Sequence, residues 1–222
     1  GITTLLFLNR INQNNILIEK ARSAAKWLLD HALHSCNGFK TRSYYSREDE
    51  DPTYSFNNSR IFSFDTGIVL TGLINLYKQT KDKELLNVAI NSAEFLIEKM
   101  QRTDGLFHAM YDPSKNESIN LPEKWSSQSG SYHTKIAIPL FNLYELTGRE
   151  EFRTSAIKIC DSSLKFQATD GRFVSFSDSG DTHLHPNIYT AEGLFYIANK
   201  LKSGERSDSY IQSVGKTVSW IL

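Results

Sequence analysis

Apolar and polar positions fall along the chain in two kinds of block, and the blocks recur. The first kind is apolar nearly all round: in Thr66–Lys78, Ile68, Val69, Leu70, Leu73, Ile74, Leu76 and Tyr77 leave little polar surface. A helix of that kind is buried on most of its sides. Ile136–Leu146 and Ile188–Leu201 share the pattern. The second kind is amphipathic. In Lys83–Met100, Leu85, Leu86, Ala89, Ala93, Leu96 and Ile97 recur at helical spacing, with Lys83, Glu84, Asn87, Asn91, Glu94 and Glu98 opposite. Ile16–Leu33, Glu150–Phe166 and Ser207–Leu222 repeat it.

These blocks are copies of one unit. A shift of 68 sets Leu5, Leu8, Leu17, Ala21, Ala25, Trp27 and Leu28 on Leu73, Leu76, Leu85, Ala89, Ala93, Phe95 and Leu96. A shift of 67 carries Leu76-Tyr77 onto Leu143-Tyr144, Thr80 onto Thr147, Leu85 onto Phe152 and Ala89 onto Ala156. A shift of 125 puts Leu85, Ala89, Phe95 and Leu96 on Tyr210, Val214, Trp220 and Ile221. A fixed period of this length marks a repeat architecture. One buried helix followed by one half-exposed helix, repeated, predicts an all-α fold with an inner ring wrapped by an outer one.

The connections are unequal. Inner-to-outer links are short (Gln79–Asp82, Thr147–Gly148, Lys202–Arg206), whereas outer-to-inner links are long (Asn37–Ser63, Thr103–Ser131, Thr169–Pro186). Loops of that length inside a compact domain carry function. Repetition places all of them on one face, at the N-termini of the inner helices, which is the predicted binding face. Asp104-Gly105-Leu106-Phe107 and Asp170-Gly171-Arg172-Phe173, with Asn37-Gly38-Phe39 as a variant, read as positive-φ turns closing the outer helices, each anchored by its aromatic. Arg42–Tyr45 and Arg172–Phe176 alternate as short strands do.

Composition narrows the function. The 222 residues carry 25 Lys and Arg against 25 Asp and Glu. That balance removes the electrostatic case for nucleic acid or an anionic membrane. No apolar run reaches the roughly 18 residues of a membrane span. Cys36 and Cys160 suit buried, small apolar roles better than a disulfide framework, which points to the cytoplasm. Asn57-Asn58-Ser59 and Asn116-Glu117-Ser118 match a glycosylation pattern short enough to recur by chance. The expected organisation is a single helical-repeat domain over 1–222 with four repeats, the first and last truncated. It reads as part of a larger chain, with a further domain or missing helices.

Helix pairs that end the inner helix in Leu73-x-x-Leu76-Tyr77-x-x-Thr80 and follow the outer one with Phe95-Leu96 and Asp104-Gly105-Leu106-Phe107 resemble the (α/α) toroids. This superfamily includes six-hairpin glycosidases, unsaturated glucuronyl hydrolases, uronate lyases and N-acylglucosamine 2-epimerases. The resemblance implies an (α/α) toroid, here an incomplete (α/α)6 barrel, and a saccharide ligand. It also points at Asp65, which opens an inner helix where an aspartate acts as general acid/base in unsaturated glucuronyl hydrolases. The competing reading of Asp65 is a helix N-cap, with its charged form stabilised.

Three catalytic candidates follow: Glu192, Asp65 and His133. Glu192 is expected in the first two turns of its helix, either buried with raised proton affinity or paired with Lys135. Its neighbour Gly193 admits a close approach by a helix or a ligand. His183, His185, Tyr189, Trp125, Tyr132 and Arg60 are the substrate-binding candidates, part of a loop set that also holds Arg42, Tyr44, Tyr45, Tyr54, Phe56, Phe62 and Arg172. Flat rings with polar edges suit sugar faces, and arginine suits a uronate carboxylate. His183, His185 and His133 lack the spacing of a metal set, so no metal and no organic cofactor is expected. Acid/base chemistry on a uronic or amino sugar is the expected activity. The alternative is a non-catalytic repeat module that binds a glycan or protein partner.

Overall fold

The computed structural model describes residues 1–41, 60–122, 124–176 and 178–222. Arg42, Tyr44, Tyr45, Tyr54, Phe56, the predicted strand Arg42–Tyr45 and the first glycosylation pattern lie outside the described residues.

Four helix hairpins follow one another: α1 (Ile2–Asn12) with α2 (Asn15–Trp27), α3 (Ser63–Thr80) with α4 (Lys83–Phe95), α5 (Ala137–Thr147) with α6 (Glu150–Ser163), and α7 (Leu184–Lys200) with α8 (Glu205–Ile221). Within each hairpin the two helices pack together, and α1, α3, α5 and α7 pack side by side as the inner row. This is the predicted inner and outer arrangement. Their shared core runs from Ile2 to Tyr210 as one contiguous cluster. Small residues let the rows approach: Ala21, Ala89 and Ala156 are fully buried at one repeat position, and Ala25, Ala93 and Cys160 at the next turn. Cys160 therefore stands in for alanine, and Cys36 and Cys160 are both free thiols.

The turns repeat as faithfully as the helices. Each of the first three inner helices ends on a left-handed residue: Gln13 (φ 48°), Lys81 (φ 58°) and Gly148 (φ 71°). Asn14 and Asp82 then cap the outer helices, each accepting an amide two residues on at 3.0 Å. At the other end, Leu33 bridges Phe39, Gln101 bridges Phe107 and Gln167 bridges Phe173. The left-handed residue of those turns is Asn37 (φ 69°), Gly105 (φ 89°) and Gly171 (φ 100°). Asn37, not Gly38, thus does the work of the later glycines. The aspartates close the turns locally, Asp104 accepting from the Leu106 amide and Asp170 from the Arg172 amide, both at 3.1 Å. Gln101 and Gln167 fasten two of the turns to the next outer helix, through the Ser155 and Ser213 carbonyls at 3.1 and 2.8 Å.

A three-stranded antiparallel sheet lies over the long-loop face: β1 (Ile61–Phe62), β2 (Met110–Asp112) and β3 (Glu117–Ile119), in that order. The predicted strand at Arg172–Phe176 forms isolated bridges instead. Two inner helices start differently from the sequence reading. Residues Ser131–Ile136 form a 3₁₀ turn that runs into α5, of which Pro139 is the third residue. Helix α7 starts at Leu184, with Pro186 in its first turn. Glu192 therefore sits a turn deeper than expected.

Candidate functional site

The starts of α3 and α7 meet the 131–136 turn at the N-termini of the inner helices. Their first polar residues are held by the loop that precedes them. The Phe39 amide donates to Thr66 Oγ1 at 3.1 Å, and the Phe173 amide donates to Asn187 Oδ1 at 2.6 Å. A buried hydroxyl chain, Thr190 to Ser131 at 3.1 Å and Thr134 with Ser163 at 2.5 Å, ties α7, the 131–136 turn and α6 together. Gly193 lets α7 press on that turn: a Cβ there would lie 2.3 Å from the Thr134 carbonyl oxygen. The close approach expected at Gly193 is thus made by protein backbone.

Across this junction runs a strip of rings. Phe64 sits at its centre, 5.5 Å from Tyr132 and 4.9 Å from Tyr189. Trp125 meets Tyr132 edge-on at 5.2 Å, and His185 lies 6.3 Å from Tyr189. Offset and tilted rings at these separations bury apolar area while leaving edges free for polar contacts. Lys135 Nζ stands 6.0 Å from the Tyr189 ring centroid. Trp125 and Tyr189 are half-buried, and His185 is exposed.

Asp65 adjoins this strip, next to Phe64 in the chain. It is not the N-cap, because α3 begins at Ser63 after an extended Phe62. Burial pushes its carboxyl up from the usual aspartate range, opposed by a hydrogen bond from the Thr41 hydroxyl at 2.7 Å. A carboxyl that keeps its proton more readily than a surface aspartate is suited to giving and taking one.

The other sequence candidates occupy different situations. Glu192 is not buried: its side chain is 51% exposed and ion-paired with Lys135, which is only 15% exposed. His133 is fully buried, and neither ring nitrogen has a hydrogen-bond partner among the described residues. Burial drives its pKa down to about 3, with the Gly130 backbone opposing and His108 reinforcing. It is a neutral imidazole packed 4.0 Å from the Tyr132 ring and 6.2 Å from Phe107. Tyr132 is also buried, and its hydroxyl donates to the Ser126 and Gln128 carbonyls at 3.1 and 3.0 Å. Burial, and then the Asp65 carboxylate, raise its pKa well above the usual phenol value. Tyr132 is thus a buried ring of this strip, and its hydroxyl anchors the loop that carries Trp125.

His183 precedes α7, its carbonyl accepting from Asn187 Nδ2 at 2.8 Å and its ring 5.9 Å from Phe176. Arg60 leads into β1. Among the described residues no three His, Cys, Asp or Glu side chains converge as a metal site would require. No helix among them is long and apolar enough to cross a membrane.

The sequence reading passed over two residues. Phe64, at the centre of the strip, was visible only as an aromatic next to Asp65. Thr41 carried no signal at all, since a lone threonine in a long loop is unremarkable until the fold brings it to α3.

Hairpins of inner and outer helices, with aromatic and acidic side chains gathered at the inner N-termini, define the six-hairpin (α/α) toroid class. Within it, the chain belongs to glycosyl hydrolase family 88, whose family model matches residues 39–185. The structure is similar to unsaturated glucuronyl hydrolase from Bacillus sp. GL1, an enzyme responsible for the degradation of glycosaminoglycan. That match has a TM-score of 0.74 and 18% identity, covering 97% of this chain and 58% of the other. Cellobiose 2-epimerase from Bacillus thermoamylovorans superposes with a TM-score of 0.77 at 16% identity, over 99% of this chain and 57% of the enzyme. The uncharacterized protein B0495.5 of Caenorhabditis elegans is 27% identical over 121 residues, 53% of this chain and 16% of that protein. The chain thus spans less than two thirds of the length of each.

Proposed function

We propose that this chain is a carbohydrate-active domain that seats a uronic or amino sugar against Trp125, Phe64 and Tyr189, with Asp65 as the proton-transfer group. The observation that carries the reading is a desolvated carboxyl beside a row of ring edges, at the inner-helix N-termini of a glycosyl hydrolase family member. The rings supply apolar area to a pyranose face. Asp65 supplies a proton near an oxygen of the bound sugar. Lys135, near the Tyr189 ring and paired with Glu192, would exchange that partner for a sugar carboxylate, leaving Glu192 as a second acid beside the strip. His185 and His183 at the mouth complete the set that would hold hydroxyls, and Arg60 joins them from β1. His133 acts from below by packing.

Family membership and the fold support hydrolysis, elimination or epimerisation alike. A glycan-binding role without turnover is favoured by one observation, that the Glu192 carboxylate is already engaged by Lys135. Free Cys36 and Cys160 support a reducing compartment such as the cytoplasm. Exposed Phe7, Leu8 and Ile11 on α1, with Phe195 on α7 and Ile211 and Val218 on α8, support further hairpins completing the ring.

Titration of uronic-acid, amino-sugar and neutral oligosaccharides into wild type and Asp65→Asn, read by Trp125 fluorescence and product formation, tests the proposal. Binding by both proteins with turnover only in wild type is expected. Binding without turnover in wild type moves the reading to the non-catalytic module. No binding to any saccharide overturns both.

A further inference from the structure

Three neighbouring contacts fix the chain at 39–41 against the start of α3. The Phe39 amide reaches Thr66, Lys40 bridges Ile61, and the Thr41 hydroxyl donates to Asp65 Oδ2 at 2.7 Å. The first belongs to the repeat, since the Phe173 amide reaches Asn187 in the same way. The Thr41 contact does not. Anchored on the turn aromatics Phe39, Phe107 and Phe173, Thr41 corresponds to Ala109 and Ser175, and Asp65 to Tyr132 and Pro186. Where the carboxylate is missing, the donor is absent or turned elsewhere: Ala109 has no hydroxyl, and Ser175 Oγ bonds Thr182 at 3.0 Å. Donor and carboxylate therefore occur together in one repeat and in neither of the others, so the hairpin scaffold does not demand them.

We propose that Thr41 is the positioning residue of the site, its hydroxyl fixing the rotamer of Asp65 and setting how readily that carboxyl takes a proton. The proposal rests on the reading of Asp65 as the proton-transfer group. Among the described residues Thr41 is the one side chain that donates to it. A hydroxyl that donates to a carboxylate stabilises the charged form against the desolvation acting in the other direction. From the facing 131–136 turn the titratable neighbour is Tyr132, whose phenol is neutral throughout the range in which a carboxyl titrates. Thr41 is exposed, so replacing it leaves the core intact.

The test is a ¹³C-detected NMR titration of the Asp65 carboxyl in wild type, Thr41→Val and Thr41→Ser, with thermal melts to confirm folding. The Asp65 midpoint is expected to move upward in Thr41→Val and to return to the wild-type position in Thr41→Ser. A Thr41→Val midpoint that coincides with wild type overturns the proposal, as does a shift that serine fails to reverse. No saccharide is needed, so the outcome separates from that of the functional reading. A shifted midpoint with no saccharide bound leaves Thr41 as the control on Asp65 and removes only the sugar. An unmoved midpoint with normal turnover does the reverse.

Discussion

The start of α3 and the turn at 131–136 occupy the same place in successive repeats and handle their polar residues in opposite ways. In α3, Thr66 accepts the Phe39 amide and Asp65 is left half-buried beside the ring strip with raised proton affinity. In the next repeat those positions hold His133 and Tyr132, both buried, the imidazole neutral down to about pH 3 and the phenol spent on two loop carbonyls. One copy presents chemistry to solvent; the other builds the wall beside it. Equal scaffolding with unequal side chains is what separates a site from a repeat, and each substitution below attacks one side of that contrast.

The largest effect belongs to His133. Its folded pKa is depressed from about 6.5 to about 3, so it contributes stability above the unfolded value that is lost as pH falls through that window. Wild type is expected to lose on the order of 4 kcal/mol from this group between pH 6.5 and 3. Denaturant unfolding across that range checks it, and His133→Asn, matching the amide at Asn187, is expected to flatten the slope.

Next come the two glycines that grip the 131–136 turn. A Cβ at Gly193 meets the Thr134 backbone oxygen at 2.3 Å, whereas one at Gly67 meets the Ile136 side chain at 2.8 Å. Backbone cannot yield as a methyl can. Gly193→Ala should cost about 3 kcal/mol, roughly 6–12 °C in Tm. Gly67→Ala should cost about 1 kcal/mol or less, because alanine recovers helix propensity.

Tyr132→Phe removes the two hydrogen bonds to the Trp125 loop while keeping the ring. A loss of about 1 kcal/mol is expected, with a red shift of Trp125 emission as its loop loosens. Smallest is Asp65→Asn. A raised carboxyl pKa gives stability that is present below the ordinary aspartate value and lost as pH rises through the folded one. Removing that carboxyl is therefore expected to raise Tm slightly at pH 7 and to leave it unchanged near pH 3. The sign is opposite to that for His133, and a pH series of melts on both variants reads the two together.

Much of this fold was legible in the chain. The shifts of 68 and 67 that align Ala21, Ala89 and Ala156 also align the left-handed residues Gln13, Lys81 and Gly148. Periodicity reports burial, and burial is what hairpins repeat. The site was less legible because it depends on depth and contact, which periodicity does not encode. For Glu192 the sequence leaves burial and pairing with Lys135 both open, and the structure takes the pairing, with the carboxylate half exposed. His133 reads as a proton carrier, but its place under Tyr132 removes its charge. Gln101 and Gln167 look like ordinary polar residues, though each spans two repeats through backbone carbonyls.

The measurement that bears most directly on the central claim is a crystal structure of Asp65→Asn soaked with the tightest-binding oligosaccharide of the panel. The account predicts a sugar ring against Phe64 and Tyr189, with the residue 65 amide within about 3 Å of a sugar oxygen. A saccharide bound away from the inner-helix N-termini, or resting on the strip with residue 65 turned away, would contradict it.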